Sequence, residues 1–178
     1  MKSGKLLIAV GLIILLFSAF FFYQRYNPLR LSFSISDYRT QGITDSASMP
    51  VEIIIPGIKL DLPVIPARLV KDSWETTDKG VSYLISSPIP GNKGNSILYG
   101  HDWSNILGPI TKLKTGQTIE IKFVTGAVRK FIINTISLVS PDQASILAPS
   151  KDAQITLYTC AGFWDSKRFV VTAKLNRQ

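Results

Sequence analysis

The stretch "TLYTCAGFWDSKRFVV", residues 156–171, holds the chain's single cysteine, Cys160, and an arginine eight residues beyond it, Arg168. The single histidine, His101, stands far upstream in "ILYGHDWSN". A thiol, an imidazole and a guanidinium are the parts of a cysteine acyl-transfer site. The ordinary thiol pKa is about 8.5, so a nucleophilic cysteine needs a cationic or basic neighbour at neutral pH. His101 is the one imidazole available. A fixed guanidinium can donate hydrogen bonds to the oxyanion that develops on an attacked carbonyl. A plainer reading stands beside this one. Free cysteine is among the most buried residue types, His101 suits a turn with Asp102 or Asn105 as partner, and Arg168 suits a surface ion pair with Asp165. Other chemistries find less support. One Cys and one His do not make a three- or four-ligand metal set. Glu75, Asp78, Asp142 and Asp152 are too dispersed for a calcium site, and no G-x-S-x-G elbow is present.

The elements that must position these residues are strands. Cys160 closes the run "AQITLYTC" and precedes "AGF", a turn; His101 follows the run "SILYG". Strand ends on one rim of a barrel can meet although 59 residues separate these two (160 minus 101). If "CAGFWDSK" joins adjacent antiparallel strands, Arg168, which opens "RFVVTAKL", returns beside Cys160. Further strands are read in "VEIIIP" at 51–56, in "IKLDLPVIPA", where Pro63 and Pro66 suggest an edge or a bulge, and in "GNSILYGH". "QTIEIKFV" and "VRKFIINTISLV" around the turn "TGA" form a hairpin. Helical signal is thin: one short turn around Trp74, another in "SNILGPITKLK", and one in "SPDQASIL". At least seven short strands at this spacing predict an all-β barrel or sandwich with short helices.

Residues 6–23, "LLIAVGLIILLFSAFFFY", carry no charge. As a helix they span ~27 Å, just long enough for the hydrocarbon core of a bilayer. A cleaved secretory signal has a shorter apolar run and a small-x-small cleavage site. This run instead closes on Phe20, Phe21, Phe22 and Tyr23, which suits an interfacial aromatic belt and favours an uncleaved anchor. Lys2, Lys5 and the free amino terminus mildly favour amino terminus inside, body outside. Residues 1–26 are therefore read as a membrane anchor, 27–50 as a polar stalk, and 51–178 as the folded domain. The net charge of +8 has no basic stripe interleaved with aromatics, so nucleic acid is not an expected partner.

The combination of "TLYTC" with an arginine eight residues on resembles the sortase signature. "IPGIKLDLPV", "PGNKGNSILYGH", "GPITKLKTGQTIEI" and "RFVVTAKL" resemble further sortase segments in the same order, over about 51–178. The resemblance implies an eight-stranded β-barrel behind one N-terminal transmembrane helix, tethered at the cell membrane with the catalytic domain outside. It also implies that His101 is the general acid/base, Cys160 the nucleophile and Arg168 the oxyanion and substrate-orienting residue, with Thr159 lining the substrate site. The implied reaction is transpeptidation: an LPxTG-like sorting signal is cleaved through a thioacyl enzyme and joined to an amine acceptor, such as a peptidoglycan precursor or another protein. No cofactor is implied. A cysteine endopeptidase using water, and a silent peptide-binding domain, remain as alternatives. Trp103, Phe163 and Trp164 bracket the expected site, as walls of an apolar substrate groove or as core aromatics. Asp102 occupies a place where many relatives carry Arg or a small residue.

Overall fold

A computed structural model describes residues 2–25, 31–33, 48–70 and 73–176. Among the described residues helix α1 (Lys2–Arg25) is followed by ten strands: β1 (Pro50–Ile55), β2 (Leu60–Ala67), β3 (Leu69–Val70), β4 (Ser73–Trp74), β5 (Val81–Leu84), β6 (Gly94–Gly100), β7 (Thr118–Phe123), β8 (Val128–Val139), β9 (Ala153–Ala161) and β10 (Lys167–Leu175). Eight of them close into a barrel in the order β1-β2-β5-β6-β9-β10-β8-β7, and β3 and β4 form a separate ribbon. Helix α1 contains one candidate span, Gly4–Gln24, that is long and apolar enough to cross a membrane.

Strands joined by short turns pair antiparallel, as β7 with β8 and β9 with β10 do. Two contacts are parallel, β2 with β5 and β6 with β9. Parallel neighbours need a long crossover, and here the whole β7–β8 hairpin lies between β6 and β9 in sequence. This second parallel contact brings the histidine and cysteine strands together.

Side chains alternate across each strand, and at the centre of this sheet both faces are covered. Leu98, Ile155, Leu157 and Val171 point into the barrel with Ile53, Ile121 and Phe131. Their neighbours Ile97, Tyr99, Tyr158, Cys160 and Val170 belong to a second buried cluster outside the barrel. Trp74 of β4, Leu147 of the 3₁₀ turn Ala144–Leu147, and Leu31 and Phe33 complete that cluster. Burial on both faces is why β6 and β9 read as nearly continuous apolar runs.

Three local expectations are revised. Trp74 lies on a strand paired with Leu69, not on a helical turn. Pro63 and Pro66 sit in a strand inside the closed barrel. Leu60–Pro63 pairs with β1 and Val64–Ala67 with β5, so each half keeps one side off the ladder, where a missing N–H costs no hydrogen bond. Within the span read as stalk, Leu31 and Phe33 are buried, at 0% and 3% exposure. The remaining stalk residues through 47 fall outside the described ones.

Candidate active site

Cys160, Arg168 and His101 sit on three neighbouring strand ends. In the antiparallel β9–β10 ladder Cys160 stands directly opposite Arg168. In the parallel β6–β9 ladder Gly100 stands opposite Thr159, so His101, the next residue, comes level with Cys160. With strands about 4.8 Å apart, Cys160 is central and flanked by the imidazole strand on one side and the guanidinium strand on the other. The Thr159 hydroxyl donates to the Gly100 carbonyl at 2.7 Å and pins this register at the point where it matters. Deeper in the same ladder the Thr156 hydroxyl donates to Asn95 Oδ1 at 2.8 Å. Asn95 Nδ2 in turn donates to the Ala148 carbonyl at 3.2 Å, which holds the loop carrying Leu147.

Cys160 is 5% exposed and lies on the outer face of the barrel with Tyr158 and Val170. Arg168 is 3% exposed. Its Nη1 donates to the Asp165 and Lys167 carbonyls at 2.9 and 3.0 Å, and its Nη2 to the Ser32 carbonyl at 3.0 Å. These bonds fix the plane of the guanidinium. Its Nε is buried and has no hydrogen-bond partner among the described residues. Arg168 also stands over the Phe33 ring, 5.9 Å from its centroid. The Tyr158 hydroxyl donates to the Leu31 carbonyl at 3.1 Å. The segment Leu31–Phe33 thus lies across the face that ends at Cys160. Sequence reasoning missed this contact, and the one available signal was the short alternating patch "LRLSFSIS".

His101 begins a tightly closed loop. Its carbonyl accepts from the Leu107 N–H at 3.0 Å, and the Trp103 carbonyl accepts from Ile106 and Gly108 at 2.9 and 3.0 Å. A Cβ on Gly108 would meet the Asp102 carbonyl oxygen at 2.4 Å and that of Trp103 at 2.9 Å, so only glycine lets the loop close this way. Trp103, fixed by that loop, stacks on His101 with ring centroids 4.5 Å apart and planes 13° off parallel.

The β9–β10 connection is strained. Trp164 and Asp165 both adopt φ of 55°, in the left-handed region, which costs non-glycine residues about 1–2 kcal/mol each. The Asp165 carbonyl is one of those held by Arg168. Phe163 and Trp164 project outward, 84% and 48% exposed. Trp164 packs on Phe20 and Phe21 of α1, at ring-centroid distances of 5.9 and 6.0 Å. Of the aromatics expected around the site, Trp103 is therefore on the histidine, while Trp164 is turned toward α1.

Several known proteins are similar to this chain in sequence or fold. A family model described as "Sortase domain" matches residues 53–176. Sortase A of Bacillus anthracis is 30% identical over 127 residues, which cover 69% of this chain and 58% of that protein. The chain thus spans a little over half the length of that relative. Sortase A from Corynebacterium diphtheriae superposes with a TM-score of 0.64 at 27% identity, covering 73% of this chain and 61% of that one. Clostridium perfringens sortase C, solved with the C-terminal cell wall sorting motif, gives a TM-score of 0.59 at 23% identity, a likeness of fold, over 71% of this chain and 70% of that one. The chain belongs to the sortase family.

Proposed function

We propose that the protein is a membrane-anchored cysteine transpeptidase that cleaves an LPxTG-like sorting signal and transfers the acyl half to an amine. The observation that carries this reading is the register placing Cys160 between His101 and Arg168 on three adjacent strand ends. Family membership supplies the reaction class. The sorting motif bound by the Clostridium perfringens sortase C suggests the substrate class.

The Cys160 thiolate attacks the carbonyl carbon of the Thr–Gly bond and forms a tetrahedral intermediate. Arg168, its guanidinium already aligned by three carbonyls, donates to the developing oxyanion, with Nε as the donor that the fold leaves uncommitted. Collapse breaks the C–N bond, and the His101 imidazolium gives its proton to the leaving amine. A thioester remains on Cys160. An incoming amine then attacks that thioester, neutral His101 takes the amine proton, and collapse expels the thiolate and leaves the new amide. Thr159 serves by fixing the Gly100–Thr159 register beside the nucleophile. A peptide reaching Cys160 along the outer face displaces Leu31–Phe33. Helix α1 holds the enzyme in the membrane, with the barrel on the extracytoplasmic side.

Intact-mass spectrometry of the full chain in detergent, incubated with an LPxTG-type peptide set and no added amine, tests this reading. The expected result is an adduct equal to the acyl half of one peptide, absent from Cys160→Ala. Arg168→Ala should form it roughly 10²–10³-fold more slowly, the usual cost of losing one oxyanion donor. A reactive thiol without any adduct would refute the substrate class. No adduct together with a thiol inert to iodoacetamide would refute catalysis by Cys160.

A further inference from the structure

We infer that the β9–β10 loop docks on the membrane through Phe163 and Trp164, so that the Cys160 end of the barrel rests against the lipid interface. The occupant proposed for this exposed aromatic tip is the headgroup region of the bilayer that α1 crosses. The inference rests on the membrane-spanning reading of α1.

Two independent observations place the loop there. The first is covalent. Ser32 is held by Arg168, opposite Cys160 in the ladder, and Leu31 by Tyr158, two residues before Cys160 on β9. Helix α1 ends at Arg25. The six residue steps from Arg25 to Leu31 reach at most roughly 20 Å even when fully extended. The catalytic corner is therefore tied close to the end of the helix, and the opposite rim of the barrel is not. The second is the ring contact. The span Gly4–Gln24 has 21 residues, ~32 Å of helix against a hydrocarbon core of about 30 Å. Phe20 and Phe21 lie three to four residues inside its end, at a depth of about 5–6 Å. Trp164 touches both. An indole at that depth occupies the zone where tryptophan is enriched in membrane proteins.

The local backbone fits this use. A left-handed conformation at Trp164 and Asp165 turns two large aromatic side chains outward from a soluble barrel, with Phe163 84% exposed. Arg168 braces the loop from inside through the Asp165 carbonyl. The same guanidinium thus ties the membrane-facing tip to the nucleophile's strand end.

The experiment uses the full chain reconstituted in phosphatidylglycerol–phosphatidylcholine vesicles. Tryptophan emission is compared between lipids brominated near the headgroup and lipids brominated at the chain ends, for the native chain and for Trp164→Phe. Resistance to alkaline extraction is measured alongside, to report whether α1 is inserted. Inserted protein whose emission is quenched by headgroup-proximal bromine, with that quenching lost in Trp164→Phe, supports the docking. Inserted protein quenched equally in both forms overturns it while leaving the anchor intact. Quenching of Trp164 chiefly by chain-end bromine overturns the interfacial placement. Protein that fails to insert removes the spanning reading, and the docking falls with it.

Discussion

Trp103 lies flat on His101, and the closed loop from 101 to 108 fixes both rings. An aromatic face stabilises a cation set against it, typically by about 0.5–1 kcal/mol where partly exposed. In the proposed reaction His101 carries a positive charge as the imidazolium, and the stack holds that ring in place. Trp103→Leu should slow thioacyl-adduct formation by about 2–5-fold, the kinetic equivalent of that stabilisation, and Trp103→Phe should retain part of the native rate. A loss of melting temperature with native-like adduct formation would leave Trp103 a packing residue and nothing more.

At the scale of elements, the barrel strands were legible as strands because alternation and turn residues mark them. The runs "QTIEIKFV" and "VRKFIINTISLV" became β7 and β8 with the turn between them. The β9–β10 hairpin returned Arg168 opposite Cys160, as a tight loop requires. Three things were not legible. Which strand pairs with β9 on its other side depends on the barrel's closure, and no local pattern encodes it. The ribbon of β3 and β4 is two residues per strand, too short for a period to register. The role of Gly108 appears only when the loop is closed, because its value lies in the carbonyls of Asp102 and Trp103 that crowd it. Gly108→Ala should therefore force the loop open. Overpacking of this kind costs about 1–3 kcal/mol, seen as a lower melting temperature. Thioacyl-adduct formation should fall further than stability does, because the loop begins at His101. Native-like adduct formation in this variant would show that the loop's closure does not position the histidine.

For the whole molecule, the barrel carries two apolar clusters back to back, and the outer one joins parts of the chain that are remote in sequence. Tyr99 is at its centre. Its ring stands edge-on to Trp74 at 5.1 Å and stacks with Tyr158 at 5.5 Å. Its hydroxyl donates to the Glu75 carbonyl. Burial, and then the nearby Glu75 charge, push the phenol well above its ordinary value of 10.0. The folded state therefore keeps this proton at a pH where the unfolded chain releases it. Below pH 10 both states hold the proton and the packing contributes in full. As pH rises above 10, only the unfolded chain gains by ionising, and stability falls by about 1.4 kcal/mol per pH unit for this group. Tyr99→Phe gives up the hydrogen bond, about 1 kcal/mol, but has nothing to ionise. Its melting temperature should start lower than the native chain's at neutral pH and then decline less steeply above pH 10, so that the two curves converge. Parallel curves would mean that the outer cluster opens before the barrel does, leaving Tyr99 to titrate as an exposed phenol. In that case the face beside Cys160 would separate from the barrel as a unit of its own.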